Sequence, residues 1–320
     1  MTSLRSRPIA LVSAAALAAL LLAGCSSSAE PEAGGAVVDT VLGEVAVPDT
    51  IDSVVVLEGR RDLDIVLSLD LPLVGFPYEG PDSIMELEPP LAEATAAAMA
   101  NGAEELFLAD EINLEAIVEV APSIIVSRVS DVEPIIDELS AIAPVIAINS
   151  NDDGTWQNDL LTVAEATGTE DRADAVIAEY DARLAEIADT YAEQIAGTRI
   201  LVVSYDSEGT LVQSARLPAL VLEALGADMS QSFLDSFASE EQDMAYSPEQ
   251  TLAAHSDAQA ILVLADSSAE WQAAQADALW QQLPAVQSGT VVRADKMVNE
   301  GAQITAMHLL DLLEELYQKV

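Results

Sequence analysis

TWQNDLLTVAEATGTEDRADAVIAEYDARLAEIADTYAEQIAG, residues 155–197, decides how this chain is built. Thr155 to Thr167 reads as one helix stopped by Gly168, and Asp171 to Ala196 as a second stopped by Gly197. In the second, Ala173, Val176, Ile177, Tyr180, Leu184, Ile187, Ala188, Tyr191 and Ile195 recur at steps of one, three or four residues. They form a single apolar stripe on a helical period. Asp and Glu, with Arg172 and Arg183, fill the other faces. At about 1.5 Å per residue, roughly 26 residues span about 39 Å. That is longer than an ordinary globular helix and close to the width of a domain. Such a helix either lies on the surface of one core or acts as a strut between two lobes, and the flanking sequence decides which.

On the amino-terminal side, Val37–Val47 alternates as a hairpin around Gly43. Val54–Leu57, Leu73–Gly75, Ile124–Val126 and Val145–Ile148 are short β-branched or aliphatic runs, read as strands. Helical patterns over Asp62–Leu69, Asn113–Val120 and Val132–Ile142 alternate with them, and a loop-rich region carries Pro77, Pro81, Pro89 and Pro90. Past the long helix the same grammar returns. Strands are expected at Arg199–Ser204, Thr210–Gln213, Ala260–Leu264 and Thr290–Arg293. Helices are expected at Leu217–Leu225, Ser247–Ala254, Ser268–Gln282 and Gln303–Tyr317. Strands separated by helices make a mostly parallel sheet covered on both faces. The strut reading follows: two α/β lobes, each a mostly parallel sheet flanked by helices, joined by one long rigid helix. A weak repeat supports the pairing. Asn113-Leu114-Glu115 before Ile124–Val126 parallels Ser247-Pro248-Glu249 before Ile261–Val263: a cap, a Glu in the first turn, a short helix, then a strand.

Residues 1–25 stand apart. Arg5 and Arg7 precede the apolar run Ile9–Leu22, which ends in Leu22-Ala23-Gly24-Cys25 before three serines. This pattern resembles the cleavage box of a bacterial lipoprotein. Cys25 is the only cysteine, so no disulfide forms within one chain. The resemblance implies that Cys25 becomes the acylated terminus, with residues 1–24 a signal peptide and 25–36 a tether. The expected layout is then an N-terminal lobe over 37–154, linking helices over 155–197 and a C-terminal lobe over 198–320.

Composition narrows the function. The formal charge is −43, from 55 Asp and Glu against 12 Lys and Arg, and Lys296 and Lys319 are the only lysines. A surface this acidic repels phosphate backbones, which excludes nucleic acid as a partner class. No Gly-x-Ser-x-Gly, His-Glu-x-x-His or Gly-rich phosphate loop occurs. The only histidines, His255 and His308, are too few to capture a bare transition-metal ion as a cluster.

Val54–Arg61 with Leu67–Gly75, Asn113–Val126, Pro144-Val145, Trp156–Ala196, Ser247–Leu264 and Leu279–Val286 with Gly289-Thr290-Val291 together resemble a known family in order and spacing. It is the siderophore- and cobalamin-type substrate-binding proteins of bacterial ABC importers. The resemblance implies a lipid-anchored protein facing outside the cytoplasm. It would capture an iron(III)-siderophore between two lobes and hand it to the permease subunits, with no catalysis and no cofactor of its own. Haem or cobalamin as ligand, and less favourably an extracellular hydrolase, are the alternatives. One glutamate per lobe docks on permease arginines in this family, and Glu115 and Glu249 match those positions. Where the family often carries an aromatic residue after a late strand, this chain has Met297-Val298-Asn299.

A cleft between such lobes is lined by loops at the carboxyl ends of strands. That rule nominates Arg60, Arg61, Tyr78 and Arg128 in the first lobe, and Tyr205, Arg216, Tyr246 and Trp271 in the second. Arginine forks suit the carboxylate or hydroxamate oxygens of an anionic chelate. For each arginine the plainer reading is an ordinary salt bridge.

Overall fold

The computed structural model describes residues 36–80, 90–109, 111–149, 155–265 and 267–320. The signal peptide, Cys25 and nearly all of the tether therefore lie outside the described residues. Among the described residues no helix is long and apolar enough to cross a membrane.

The chain opens with the hairpin β1 (Val37–Thr40) and β2 (Gly43–Ala46). The first lobe then runs β3 (Val54–Val56), α1 (Arg61–Ser68), β4 (Leu73–Tyr78), α2 (Ala92–Ala100), β5 (Glu104–Leu108), α3 (Leu114–Val120) and β6 (Ile124–Arg128). It closes with the short helices α4 (Val129–Val132) and α5 (Ile136–Ser140) and then β7 (Val145–Ile148). The strands form an all-parallel sheet in the order β5-β4-β3-β6-β7. Strand period two sends Val54 and Val56 to one face of this sheet and Val55 to the other, so its two faces feed separate cores.

Two linking helices follow, α6 (Trp156–Thr167) and α7 (Glu170–Thr190), then the short α8 (Ala192–Gly197). The second lobe runs β8 (Ile200–Asp206), β9 (Gly209–Gln213), α9 (Leu217–Leu225), α10 (Gln231–Phe237), β10 (Asp243–Tyr246), α11 (Pro248–His255) and β11 (Ala260–Leu264). It ends with α12 (Ser268–Ala276), α13 (Pro284–Ser288), β12 (Val291–Ala294) and α14 (Gln303–Tyr317). Its sheet order, β10-β9-β8-β11-β12, repeats that of the first lobe position for position. The difference is local. Only Ser207 and Glu208 separate β8 from β9, so the pair must be an antiparallel hairpin, whereas α1 returns the chain from β3 to a parallel β4. The weak repeat lands on equivalent units, α3–β6 and α11–β11.

Four expectations change. The second helix breaks at Tyr191 (φ −112°, ψ 26°) and does not run to Ala196, so α7 has 21 residues and a length of about 32 Å. Tyr191 leaves the helix to stack on Tyr317, with ring centroids 6.0 Å apart, while its hydroxyl donates to Glu314 Oε1 at 3.1 Å. The stripe survives the break, since Ile195 stays buried on α8. The region after Pro77 is not all loop, because α2 and the edge strand β5 occupy 92–108. The pattern over 132–142 is split by a 3-10 turn at Glu133–Ile135 containing Pro134. The helix expected over Ser268–Gln282 ends at Ala276, and Trp280–Gln282 forms a separate 3-10 turn.

α7 does bridge the lobes. Near its start, Arg172 Nε donates to Ser68 O of the first lobe at 2.9 Å. Near its end, Arg183 pairs with Asp311 at 2.9 Å and with Glu314 on α14. The stripe residues Ala173, Val176, Tyr180 and Ile187 are buried in a core continuous from Val54 of one sheet to Leu262 of the other. A second tie crosses directly. Asp64 of α1, fully buried, accepts hydrogen bonds from the backbone N–H groups of Ala302, Ile304 and Thr305 at 2.8, 3.0 and 2.9 Å. Ala302 is the N-cap of α14 and has no capping side chain, so a carboxylate from the other lobe satisfies the helix end.

Candidate functional site

In the first lobe, β3 and β6 lie side by side and the strand order turns outward from them in both directions. Sheets of this kind leave a crevice beyond the strand ends at such a point. The loop after β3 carries Glu58 and Arg60, and β6 ends at Arg128. Asp62 shapes the loop. Its Oδ2 accepts from the N–H groups of Leu57 and Glu58 at 3.0 and 2.8 Å, and its Oδ1 from Gly59 and Leu63 at 2.9 and 2.7 Å. Gly59 has φ +82°, and a Cβ there would stand 2.8 Å from Pro77 Cγ, so the turn requires glycine.

Arg60, Arg128 and Arg216 converge on one carboxylate, Glu300. Arg60 Nη1 lies 2.9 Å from Glu300 Oε2, Arg128 Nη1 3.7 Å from the same oxygen, and Arg216 Nη1 3.1 Å from Oε1. Two of these cations come from the first lobe. Arg216, the N-cap of α9, and Glu300, which follows the 3-10 turn Lys296–Asn299, come from the second. Arg128 also meets Glu58 Oε1 at 3.0 Å and Asp131 Oδ2 at 3.4 Å, and Arg60 meets Glu79 Oε1 at 3.7 Å.

The two partly buried carboxyls respond in opposite directions. Burial works against ionising Glu300, but the hydrogen bond from Arg60 and the charges of Arg60, Arg128 and Arg216 outweigh it and hold the group below the usual carboxylate range. Burial and then the Asp62 carboxylate push Glu58 well above that range, and the charge of Arg128 only partly offsets them. Glu58 accepts no well-directed hydrogen bond among the described residues.

A cavity of about 460 Å³ adjoins this cluster, lined by Glu58, Phe76, Tyr78, Leu91, Thr95, Met99 and, from the second lobe, Met297. A second, of about 210 Å³, is lined by Leu57, Glu58, Arg60, Ile112, Arg128 and Asp131. Glu58 belongs to both. Among the described residues no group of three His, Cys, Asp or Glu is placed to hold a metal ion.

Of the residues nominated from sequence, Arg60, Arg128 and Arg216 come together and Tyr78 lines the larger cavity. The others do not join them. Arg61 is not in a loop but opens α1, 1% exposed, with Nη1 2.9 Å from the equally buried Asp159. Tyr205 lies within β8, packed edge-on against Trp280 at 5.3 Å. Tyr246 ends β10 and packs edge-on against His255 at 5.1 Å. Trp271 sits on α12, half-buried against the core. Burial lowers the pKa of His255 to about 4, and its two ring nitrogens meet the hydroxyls of Thr210 and Ser232, each at 2.9 Å. Glu115 and Glu249 are both exposed in the first turns of α3 and α11.

Sequence reasoning passed over Glu300 and Met99. Glu300 is one of 55 carboxylates, and only its place beside Gly301 after the last strand sets it apart. Met99 lies on α2, AEATAAAMA, where near-uniform alanine erases the apolar periodicity that reveals other helices.

A probable siderophore-binding lipoprotein, YfiY of Bacillus subtilis (strain 168), is 27% identical over 148 residues, which cover 46% of this chain and 45% of that protein, so the match spans less than half of the relative's length. SirA of Staphylococcus aureus, complexed with staphyloferrin B, superposes with a TM-score of 0.72 at 18% identity, covering 89% of this chain and 98% of SirA. The siderophore periplasmic binding protein from the fuscachelin gene cluster of Thermobifida fusca gives a TM-score of 0.68 at 25% identity, covering 86% and 99%. The two-lobed α/β fold is therefore shared with these proteins. The Periplasmic binding protein family matches residues 105–298, well over half of the sequence, and the chain belongs to that family.

Proposed function

We propose that this chain is an extracytoplasmic binding protein, anchored to the membrane through a lipid on Cys25, that captures an iron(III)-siderophore between its lobes and delivers it to an ABC permease. It performs no catalysis and needs no cofactor of its own, since the iron arrives as cargo inside the chelate. The observation that carries this reading is the meeting of Arg60 and Arg128 from one lobe with Arg216 from the other, beside a cavity of about 460 Å³. Guanidinium forks from both walls of a cleft suit a chelate rich in oxygen. The membership in the periplasmic binding protein family and the siderophore-binding B. subtilis relative support it.

Equilibrium dialysis against radio-iron complexes of citrate, ferrichrome and ferrioxamine, with haem and cobalamin alongside, tests the capture step. Saturable binding of one iron chelate is expected. Arg60→Ala, Arg128→Ala and Arg216→Ala should each weaken it by roughly 1.5–3 kcal/mol, the scale of a charge-assisted hydrogen bond. Wild-type affinity in all three variants would remove the arginine cluster from the site.

Delivery is tested separately. Glu115 and Glu249, one on each lobe, are proposed to dock on the permease, where two separated charges orient the encounter. Glu115→Ala and Glu249→Ala are expected to leave chelate affinity and fold unchanged and to reduce iron uptake by cells, with the double variant lowest. Normal uptake by the double variant would leave these residues only their favourable place at a helix start.

A further inference from the structure

The three arginines of the cleft already hold a carboxylate, and it belongs to the protein. Glu300 spreads its two oxygens over cations from both lobes, Oε2 toward Arg60 and Arg128 and Oε1 toward Arg216. This is the two-oxygen, several-donor arrangement by which guanidinium groups bind carboxylates.

The cations and the anion are not equally anchored. Arg60 follows a turn whose Leu57, Glu58 and Gly59 N–H groups bond to Asp62, Arg128 ends a central strand and is tied to Glu58 and Asp131, and the backbone of Arg216 stands at the N-cap position of α9. Glu300 lies in no helix or strand. It has an extended backbone (φ −135°, ψ 130°) between a 3-10 turn and Gly301, and its side chain retains 13% exposure. A rotamer change of Glu300 alone would release the arginines without moving a helix or strand.

We propose that Glu300 is an exchangeable counter-ion that holds the anion position of the cleft, its place on Arg60, Arg128 and Arg216 being taken by a carboxylate of an anionic ferric chelate. This rests on the cleft being an iron-chelate site, and it names the chelate class. Once Glu300 turns away, three guanidinium groups remain close together, and a neutral or cationic chelate brings nothing to offset their repulsion. An anionic chelate does. The resident carboxylate competes with a ligand that takes its place on the arginines, lowering the affinity for an anionic chelate, whereas a chelate that leaves it in place gains nothing from those cations.

The test is Glu300→Gln, which keeps the shape and removes the charge, measured by equilibrium dialysis against ferric citrate (anionic), ferrichrome (neutral) and ferrioxamine (cationic). Wild type should bind ferric citrate best. The variant should bind it roughly tenfold more tightly, with a steeper loss of affinity on adding salt, while the other two chelates change little. Glu300→Asp, which shortens the reach by one methylene, should give a smaller gain and serves if the Gln variant folds poorly. Weaker or unchanged ferric citrate binding in both variants overturns the inference, as does wild-type preference for ferrichrome or ferrioxamine, and each leaves the iron-chelate function standing. Failure of folded wild type to bind any iron chelate overturns both.

Discussion

Replacing Asp64 with Ala is expected to lower the unfolding free energy by about 3–5 kcal/mol, the range for deleting one member of a buried charged interaction. The carboxylate is fully buried and serves four groups at once: the N–H groups of Ala302, Ile304 and Thr305 and the hydroxyl of Ser68. Without it, three N–H groups at the positive end of α14 lose their acceptor. Asp64→Asn should recover only part of the loss, because one acceptor becomes a donor pointed at N–H groups. Urea unfolding measures the stability, and hydrogen exchange at Ala302, Ile304 and Thr305 locates the effect. A loss below about 1 kcal/mol, comparable to an ordinary exposed helix cap, would mean that the lobes are held without this tie.

The second large effect concerns Arg61, one residue from Arg60 but with a different role. Arg61→Ala is expected to destabilise the fold by about 3–5 kcal/mol and not to alter the chelate affinity of the molecules that remain folded. The reason is the partner left behind. Asp159 would be left without its cation in a site 1% exposed, where among the described residues the backbone N–H and side-chain amide of Asn149 bond to it at 3.1 and 2.9 Å. Pairing Arg61→Met with Asp159→Asn removes both charges and should restore more than half of the loss, giving a favourable coupling in a double-mutant cycle. A stable Arg61→Ala variant with weakened chelate binding would instead place Arg61 in the cleft.

The contrast between Arg60 and Arg61 marks how far the sequence reaches into the site. Both follow the first strand of the lobe, and a rule about strand ends nominates both. In the folded chain Arg61 opens α1 and turns inward to Asp159, while Arg60 stands before the helix and reaches Glu300, 240 residues away. The same rule nominated Tyr205, but β8 continues through Asp206 and carries that side chain into the core. It also nominated Arg128 and Arg216, which stand at the end of a strand and at the start of a helix and face Glu300.

By itself the sequence determined the alternation of strands and helices, the two lobes and the apolar stripe of the bridging helix. These follow from local periodicity, since a residue's neighbours at one period or another decide which face it shows. Tertiary structure alone decided the break at Tyr191, where stacking on Tyr317 and a bond to Glu314 outweigh continuation of the helix. It alone chose Asp64 as the cap of a helix 238 residues later. It alone placed Glu300, one of 55 carboxylates, against three arginines. Ion pairs and caps across such distances leave no periodic trace, because they depend on where whole elements come to rest and not on the order of residues within them.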